Sequence, residues 1–435
     1  MENIDTLICA AHVIPVEPRA VLAEHAVAVR DGRIVALAPT GEALARFAAR
    51  EVVRLDRHVL LPGFVNLHCH AAMALMRGLA DDRPLMEWLE KHIWPAEARH
   101  ASDEFVHDGS LLAIAEMLRG GVTCVNDMYF FPGATARAAL RAGMRAALGI
   151  IAIEFPSAYA ADPREYLEKG LATRDAYRGE PLLSFCLAPH APYTVGDETM
   201  RRIAVLSEEL DLPIHTHVHE TVAEIQQGLA RNGARPIERL RALGVVGPRL
   251  IAVHCVHLEE REIELFAREN VSVAHCPTSN MKLASGIAPV ALLRHAGVRV
   301  GVGTDGAASN NRLDVLAEAR NAALLAKVTS GDAATLGALE AIEMATLAGA
   351  RALGLEERIG SIAAGKAADL TAISLDAVET VPCFDAASHV VYAAGRENVT
   401  HVWVEGQARL VDRELRSIDE QDLREKARWW KEKLA

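Results

Sequence analysis

The stretch Leu61-Pro62-Gly63-Phe64-Val65-Asn66-Leu67-His68-Cys69-His70 carries an apolar run into two histidines one residue apart. Residues i and i+2 of a strand share a face, so His68 and His70 can converge on one point at its end. Neutral imidazole is a common ligand for zinc and similar metals. Two surface histidines at a strand end would look the same, so the reading turns on whether other strands end alike.

They do. Apolar runs recur at 60–68, 122–127, 147–153, 182–190, 213–220, 250–255, 271–276 and 298–305. Amphipathic helical stretches lie between them, for example 104–119, 197–210, 259–269 and 313–328. Eight such units are what a (β/α)8 barrel requires. A doubly wound sheet alternates similarly, but there is no P-loop. Barrel chemistry sits at the C-terminal strand ends. Five runs end in His, Asp or Glu: His68 with His70, His190, His215 to Glu220 with His217 and His219 between, His254, and Asp305. Chance placement of 18 histidines would not favour that pattern, and a metal centre is expected.

Outside the barrel the pattern is short strands. Ala26–Arg30 and Arg33–Leu37 flank Asp31-Gly32, a two-residue hairpin signal. Strand character returns at 359–373, 390–394 and 401–404, with Gly406 closing a turn. The expected fold is α/β, a (β/α)8 TIM barrel with a small β-sandwich module built from both ends. The expected division is 1–59 for the first module strands, 60–357 for the barrel, 358–415 for the returning strands, and 416–435 for a capping helix.

The chain has 435 residues, 51% of them hydrophobic, enough for a large core. A net charge of −12 argues against nucleic acid or an anionic membrane surface as partner. No apolar run is long enough to span a bilayer. Met1-Glu2-Asn3-Ile4-Asp5 does not read as a signal peptide, and seven scattered cysteines form no Cys-x-x-Cys pair. A reduced, cytoplasmic protein is expected.

The chain resembles the deaminases of the amidohydrolase superfamily. It is most similar to the 5′-methylthioadenosine/S-adenosylhomocysteine deaminase group, with guanine deaminases and s-triazine hydrolases as cousins. The matching motifs begin with Pro62 to His70, Arg77-Gly78-Leu79-Ala80-Asp81-Asp82 with Trp88-Leu89, and Ala188-Pro189-His190-Ala191-Pro192-Tyr193. They continue through His217-Val218-His219-Glu220, Ala252 to His257, Pro277-Thr278-Ser279-Asn280-Met281-Lys282-Leu283 and Gly303 to Asn311. They cover nearly the whole chain in the right order.

The resemblance implies one zinc ion per chain, with iron or manganese as substitutes, held by His68, His70, His217 and Asp305. Binuclear relatives need a bridging carboxylate or modified lysine at strand four, where this chain has His190. The His-x-x-Glu pattern selects His217; His215 and His219 read as packing or outer hydrogen-bonding residues. Asp305 would take a proton from water, His254 would orient it, and Glu220 would carry a proton to the substrate ring. His190 and Glu97 would contact substrate alongside Glu220 and Asp305, with Glu97 on ribose hydroxyls; a solvated helix carboxylate is the lesser alternative for Glu97.

Some relatives place arginines at and after the end of strand three. This chain has Gly149-Ile150-Ile151-Ala152-Ile153-Glu154-Phe155 there, and Arg164 further on in what reads as a loop. If those arginines hold the homocysteine carboxylate, methylthioadenosine or adenosine would be better substrates than S-adenosylhomocysteine. The runner-up is an aminohydrolase or chlorohydrolase acting on guanine, a pterin or an s-triazine. A non-enzymatic scaffold is disfavoured by the intact residue set, and the cytidine-deaminase signature is missing. A homo-oligomer, dimer or tetramer, is expected.

Overall fold

The computed structural model describes residues 1–434. Four strands open the chain: β1 (Glu2–Val13), β2 (Leu22–Arg30), β3 (Arg33–Pro39) and β4 (Phe47–Pro62). β2 and β3 turn at Asp31-Gly32, with Arg30 paired to Arg33. Both turn residues have positive φ, 51° and 74°, as this tight turn requires. The helix Thr40–Arg46, between β3 and β4, was not expected.

Eight parallel strands follow. They are β5 (Phe64–Cys69), β6 (Val122–Asp127), β7 (Arg145–Ala152), β8 (Leu183–Pro189), β9 (Ile214–Val218), β10 (Leu250–His254), β11 (Ser272–His275) and β12 (Arg299–Val302), each bonded to the next. Just past β12 the Asp305 amide donates to the His68 carbonyl at 3.0 Å, joining the last strand end to the first. Covered on both faces, β5, β6 and β7 are buried throughout, which is why they read as continuous apolar runs.

The chain returns through β13 (Leu370–Ser374), β14 (Val399–Val404), β15 (Gln407–Val411) and β16 (Glu414–Leu415) to the helix Glu420–Leu434. With β1–β4 these strands form one eight-stranded mixed sheet, ordered β16-β15-β14-β13-β4-β1-β2-β3. Alternate residues of β1 serve its two faces: Ile8 and Ala10 pack with Val27, Leu55 and Trp403, while Leu7 and Cys9 pack with Ala26 and Phe47. Arg145, buried at the foot of β7, ties sheet to barrel by donating to Asp369 at 3.0 Å. Removing one partner of such a buried pair costs about 3–5 kcal/mol.

Two readings from sequence need correction. The run at 60–68 is not one strand: Leu60, Leu61 and Pro62 pair with β13, and Phe64 begins the barrel. The break falls at Gly63, where a Cβ would lie 2.2 Å from the Thr123 side chain, so glycine alone lets the chain cross. The stretch 390–394 is not a strand either, but a helical turn, His389–Ala393, whose Val390 and Val391 are buried. Arg320 fastens it by donating to the carbonyls of Val391 and Ala394, each at 3.0 Å. A short apolar run without alternation fits strand and buried helix equally well.

The last helix docks on the helix Asp103–Arg119. The Trp430 indole donates to Asp108 at 3.2 Å and stands edge-on to Phe105. Among the described residues no helix is long and apolar enough to cross a membrane.

Candidate active site

His68 on β5 and His217 on β9 bring their Nε2 atoms 3.2 Å apart. His68 and His70 place Nε2 atoms 3.4 and 3.3 Å from Asp305 Oδ1. The outer nitrogens are already engaged. His70 Nδ1–H donates to the Met128 carbonyl and His217 Nδ1–H to that of His190, both at 2.6 Å. His68 Nδ1 meets His215 Nε2 at 2.9 Å. A neutral imidazole has one N–H to give, so His217 faces the centre with a bare lone pair, as His70 does once a cation replaces the proton that Asp305 holds on it. Bare lone pairs converging on a carboxylate form a nest for a cation, and outer partners of this kind fix ligand tautomers in metal sites.

The electrostatics make the same demand. Burial opposes charge on His70, yet Asp305 outweighs it and pushes the imidazole up to about 9. Burial also opposes charge on Asp305, but hydrogen bonds from His68 and His70 hold it well below the ordinary carboxylate range. The buried anion thus requires a positive partner, which a divalent ion supplies without a proton. Three imidazoles and one carboxylate suit a tetrahedral metal with room for one more ligand.

Glu220 and His254 lie beside this nest, Oε2 to Nε2 at 3.8 Å. Burial raises the Glu220 carboxyl above its usual range. Its placement comes from Glu224, whose carboxylate accepts the amides of His219 at 2.9 Å and Glu220 at 2.8 Å. His219 does not share the face of His215 and His217, as alternation predicted. It lies past β9 with φ of +53°, against Glu262 at 3.6 Å, and accepts from the Ile237 amide at 3.3 Å. His254 and Asp305 also have positive φ, +69° and +61°. Such strain in non-glycine residues recurs at functional sites.

The nest forms the floor of a cleft of about 770 Å³ including its mouth. His190 and Glu97 both line it, with Glu220, His254 and Asp305. Burial and the neighbouring His70 and His68 push His190 down to about 3, so it is neutral. Burial pushes Glu97 up to about 7 against the opposing pull of Tyr129 and His70. The Tyr129 hydroxyl is close enough to act on Glu97, but it is buried without a hydrogen bond of normal geometry. The rest of the wall is largely apolar, including Trp88, Trp94, Phe130, Ile151, Ile153 and Phe155. No arginine or lysine lines the cleft. Arg164 is not in a loop: it sits on the exposed helix Pro163–Ala176, paired with Glu168 at 2.7 Å and facing a different groove.

Five contributors escaped the sequence reading: Asp127, Tyr129, Glu224, Ser279 and Asn280. Asp127 ends β6 and accepts the Ala71 amide at 2.7 Å, fixing the chain just after His70. Applying the strand-end rule to 122–127 would have found Asp127 and, two residues on, Tyr129. Glu224 sits on a helix and carries no comparable signal, while Ser279 and Asn280 lie in the matching motif Pro277 to Leu283, which assigned them no role.

Residues 59–409 match the model of the Amidohydrolase family. The chain belongs to that family. This amidohydrolase is 44% identical to the 5-methylthioadenosine/S-adenosylhomocysteine deaminase of Saccharophagus degradans, over 99% of its own length and 97% of the relative's. It is equally identical, 44%, to the protein of that name from Teredinibacter turnerae, covering 99% and 98%. Among solved structures, a zinc-bound adenosine deaminase from Xanthomonas campestris superposes with a TM-score of 0.98 at 50% identity, covering 100% of the amidohydrolase and 99% of that chain. A zinc complex of atrazine chlorohydrolase from Arthrobacter aurescens superposes at 0.90 with 23% identity, covering 98% and 99%, a likeness of fold.

Proposed function

We propose that this amidohydrolase deaminates an adenosine-type nucleoside, giving the inosine analogue and ammonia. Methylthioadenosine and adenosine are its preferred substrates, ahead of S-adenosylhomocysteine. The observation that carries the reading is the Glu97 carboxyl beside the unpartnered Tyr129 hydroxyl in an otherwise apolar wall. A ribose diol offers donors to the first and an acceptor to the second, and a free base has no such diol. The full-length likeness to proteins named as nucleoside deaminases supports the same class.

His68, His70, His217 and Asp305 would hold one zinc ion. When bound, zinc supplies Lewis acidity that brings the first pKa of water to about 7. Asp305 accepts a proton from the attacking water, and His254 accepts a hydrogen bond from it. Glu220, whose carboxyl burial raises above its usual range, carries a proton to the ring nitrogen beside the attacked carbon. The new C–O bond forms, the C–N bond to the exocyclic amine breaks, and the amine leaves as ammonia with a relayed proton. His190 and the apolar wall hold the base and the 5′ substituent. The cleft has no cationic lining, so a methylthio or hydroxymethyl end suits it better than the zwitterionic end of S-adenosylhomocysteine.

The test is conversion of adenosine to inosine with equimolar ammonia by the zinc-loaded protein. Failure with adenosine and methylthioadenosine alike would refute the reading.

A further inference from the structure

The segment Pro277-Thr278-Ser279-Asn280-Met281-Lys282 supplies no metal-facing residue. It folds as a short helix directly after β11 and lies against the proton-handling residues. Ser279 Oγ donates to Asp305 Oδ2 at 2.6 Å, while the Gly306 amide donates to Oδ1 at 2.7 Å. Asn280 Oδ1 lies 2.8 Å from His254 Nδ1. Lys282 donates to Asp81 at 2.7 Å and to the Ala308 carbonyl at 3.3 Å. One turn of helix thus contacts Asp305, His254 and, through Lys282, Asp81 and Ala308.

Resting on the deaminase reading, we infer that Asn280 is a positioning residue that sets the tautomer of His254. A side-chain oxygen facing Nδ1 requires the imidazole proton there, which leaves Nε2 as an acceptor. That nitrogen faces Glu220 and the metal nest. His254 in this form receives a hydrogen bond from water and leaves the oxygen lone pair free to attack. The opposite amide orientation would put the proton on Nε2 and turn His254 into a donor, blocking that lone pair. The choice has a visible cost: Asn280 is 1% exposed and its Nδ2 has no partner. Leaving a buried donor unpaired is unfavourable, so the orientation serves the histidine rather than the asparagine. Ser279 acts in parallel by holding one oxygen of Asp305.

Two isosteric variants separate the alternatives. Asn280→Asp can only accept and preserves the oxygen at Nδ1, whereas Asn280→Leu removes it. Asn280→Asp should retain kcat within about tenfold, and Asn280→Leu should lose at least ~10²-fold, the scale of a misplaced acid–base group. KM and zinc content should stay near wild type in both. Nitrogen-15 histidine spectra, with His254 assigned through a His254→Gln variant, should show the Nδ1–H tautomer in wild type and in Asn280→Asp. An Nε2–H tautomer in wild type, or an Asp variant worse than the Leu variant, would overturn the inference. The spectra need no substrate, so failure of the deaminase reading itself would appear separately, as absence of turnover in wild type.

Discussion

Glu220 Oε2 lies 3.8 Å from His254 Nε2, and burial raises the Glu220 carboxyl above the usual carboxylate range. The proposed proton carrier and the histidine proposed to orient water are thereby set side by side at the edge of the nest. Glu220→Gln should retain zinc while kcat falls at least ~10²-fold, the usual loss for an acid–base group. Loss of zinc from the variant, read by elemental analysis, would make Glu220 a ligand and refute this role.

His217 and His219 differ by two residues and should differ completely in metal binding. His217 Nε2 faces His68, while His219 is engaged by Glu262 and the Ile237 amide. His217→Ala should lose both metal and activity. His219→Ala should keep most of its metal. The reverse outcome would reassign the ligand.

The ribose-reading pair gives a specificity prediction. A site built to hydrogen-bond hydroxyls can reject analogues lacking them by up to ~10⁴–10⁵. Glu97→Ala should narrow the kcat/KM gap between adenosine and its deoxy analogues, and Tyr129→Phe should narrow it less. Equal kcat/KM for adenosine and free adenine in wild type would discard ribose reading.

Glu224 couples the site to stability. Burial pushes its carboxyl up to about 7 from an ordinary 4.5, despite the amides it accepts. The folded protein binds the extra proton between those values, so this contribution is full below the lower value and is lost as pH rises through the upper one. Glu224→Gln cannot ionise. The melting temperature of wild type relative to Glu224→Gln should therefore fall between about pH 5 and about pH 8. A difference that does not change with pH would show that Glu224 stays in one protonation state.

The barrel and its converging histidines were legible because strand periodicity and the strand-end rule act on contiguous residues. His68, His70, His217 and Asp305 lie at or beside the ends of apolar runs, and the structure brings His68 together with His70 and Asp305 and with His217 and His254. What escaped depends on backbone geometry that periodicity does not encode. His219 fails to continue its strand because of its left-handed φ and the Glu224 clamp on its amide. Gly63 hides a domain crossing within an unbroken apolar stretch, because the reason for it is the distant Thr123 side chain. Arg164 looked available as a carboxylate partner until its helix placed it in another groove.

The most direct test is a parallel measurement of ammonia release by the zinc-loaded protein. The substrates are methylthioadenosine, adenosine, S-adenosylhomocysteine, guanine and an amino-s-triazine, compared by kcat/KM. Methylthioadenosine should equal or exceed adenosine, both should exceed S-adenosylhomocysteine, and guanine and the triazine should be negligible. Preferential turnover of guanine or the triazine would contradict nucleoside deamination. A preference for S-adenosylhomocysteine would contradict only the ranking drawn from the uncharged cleft wall.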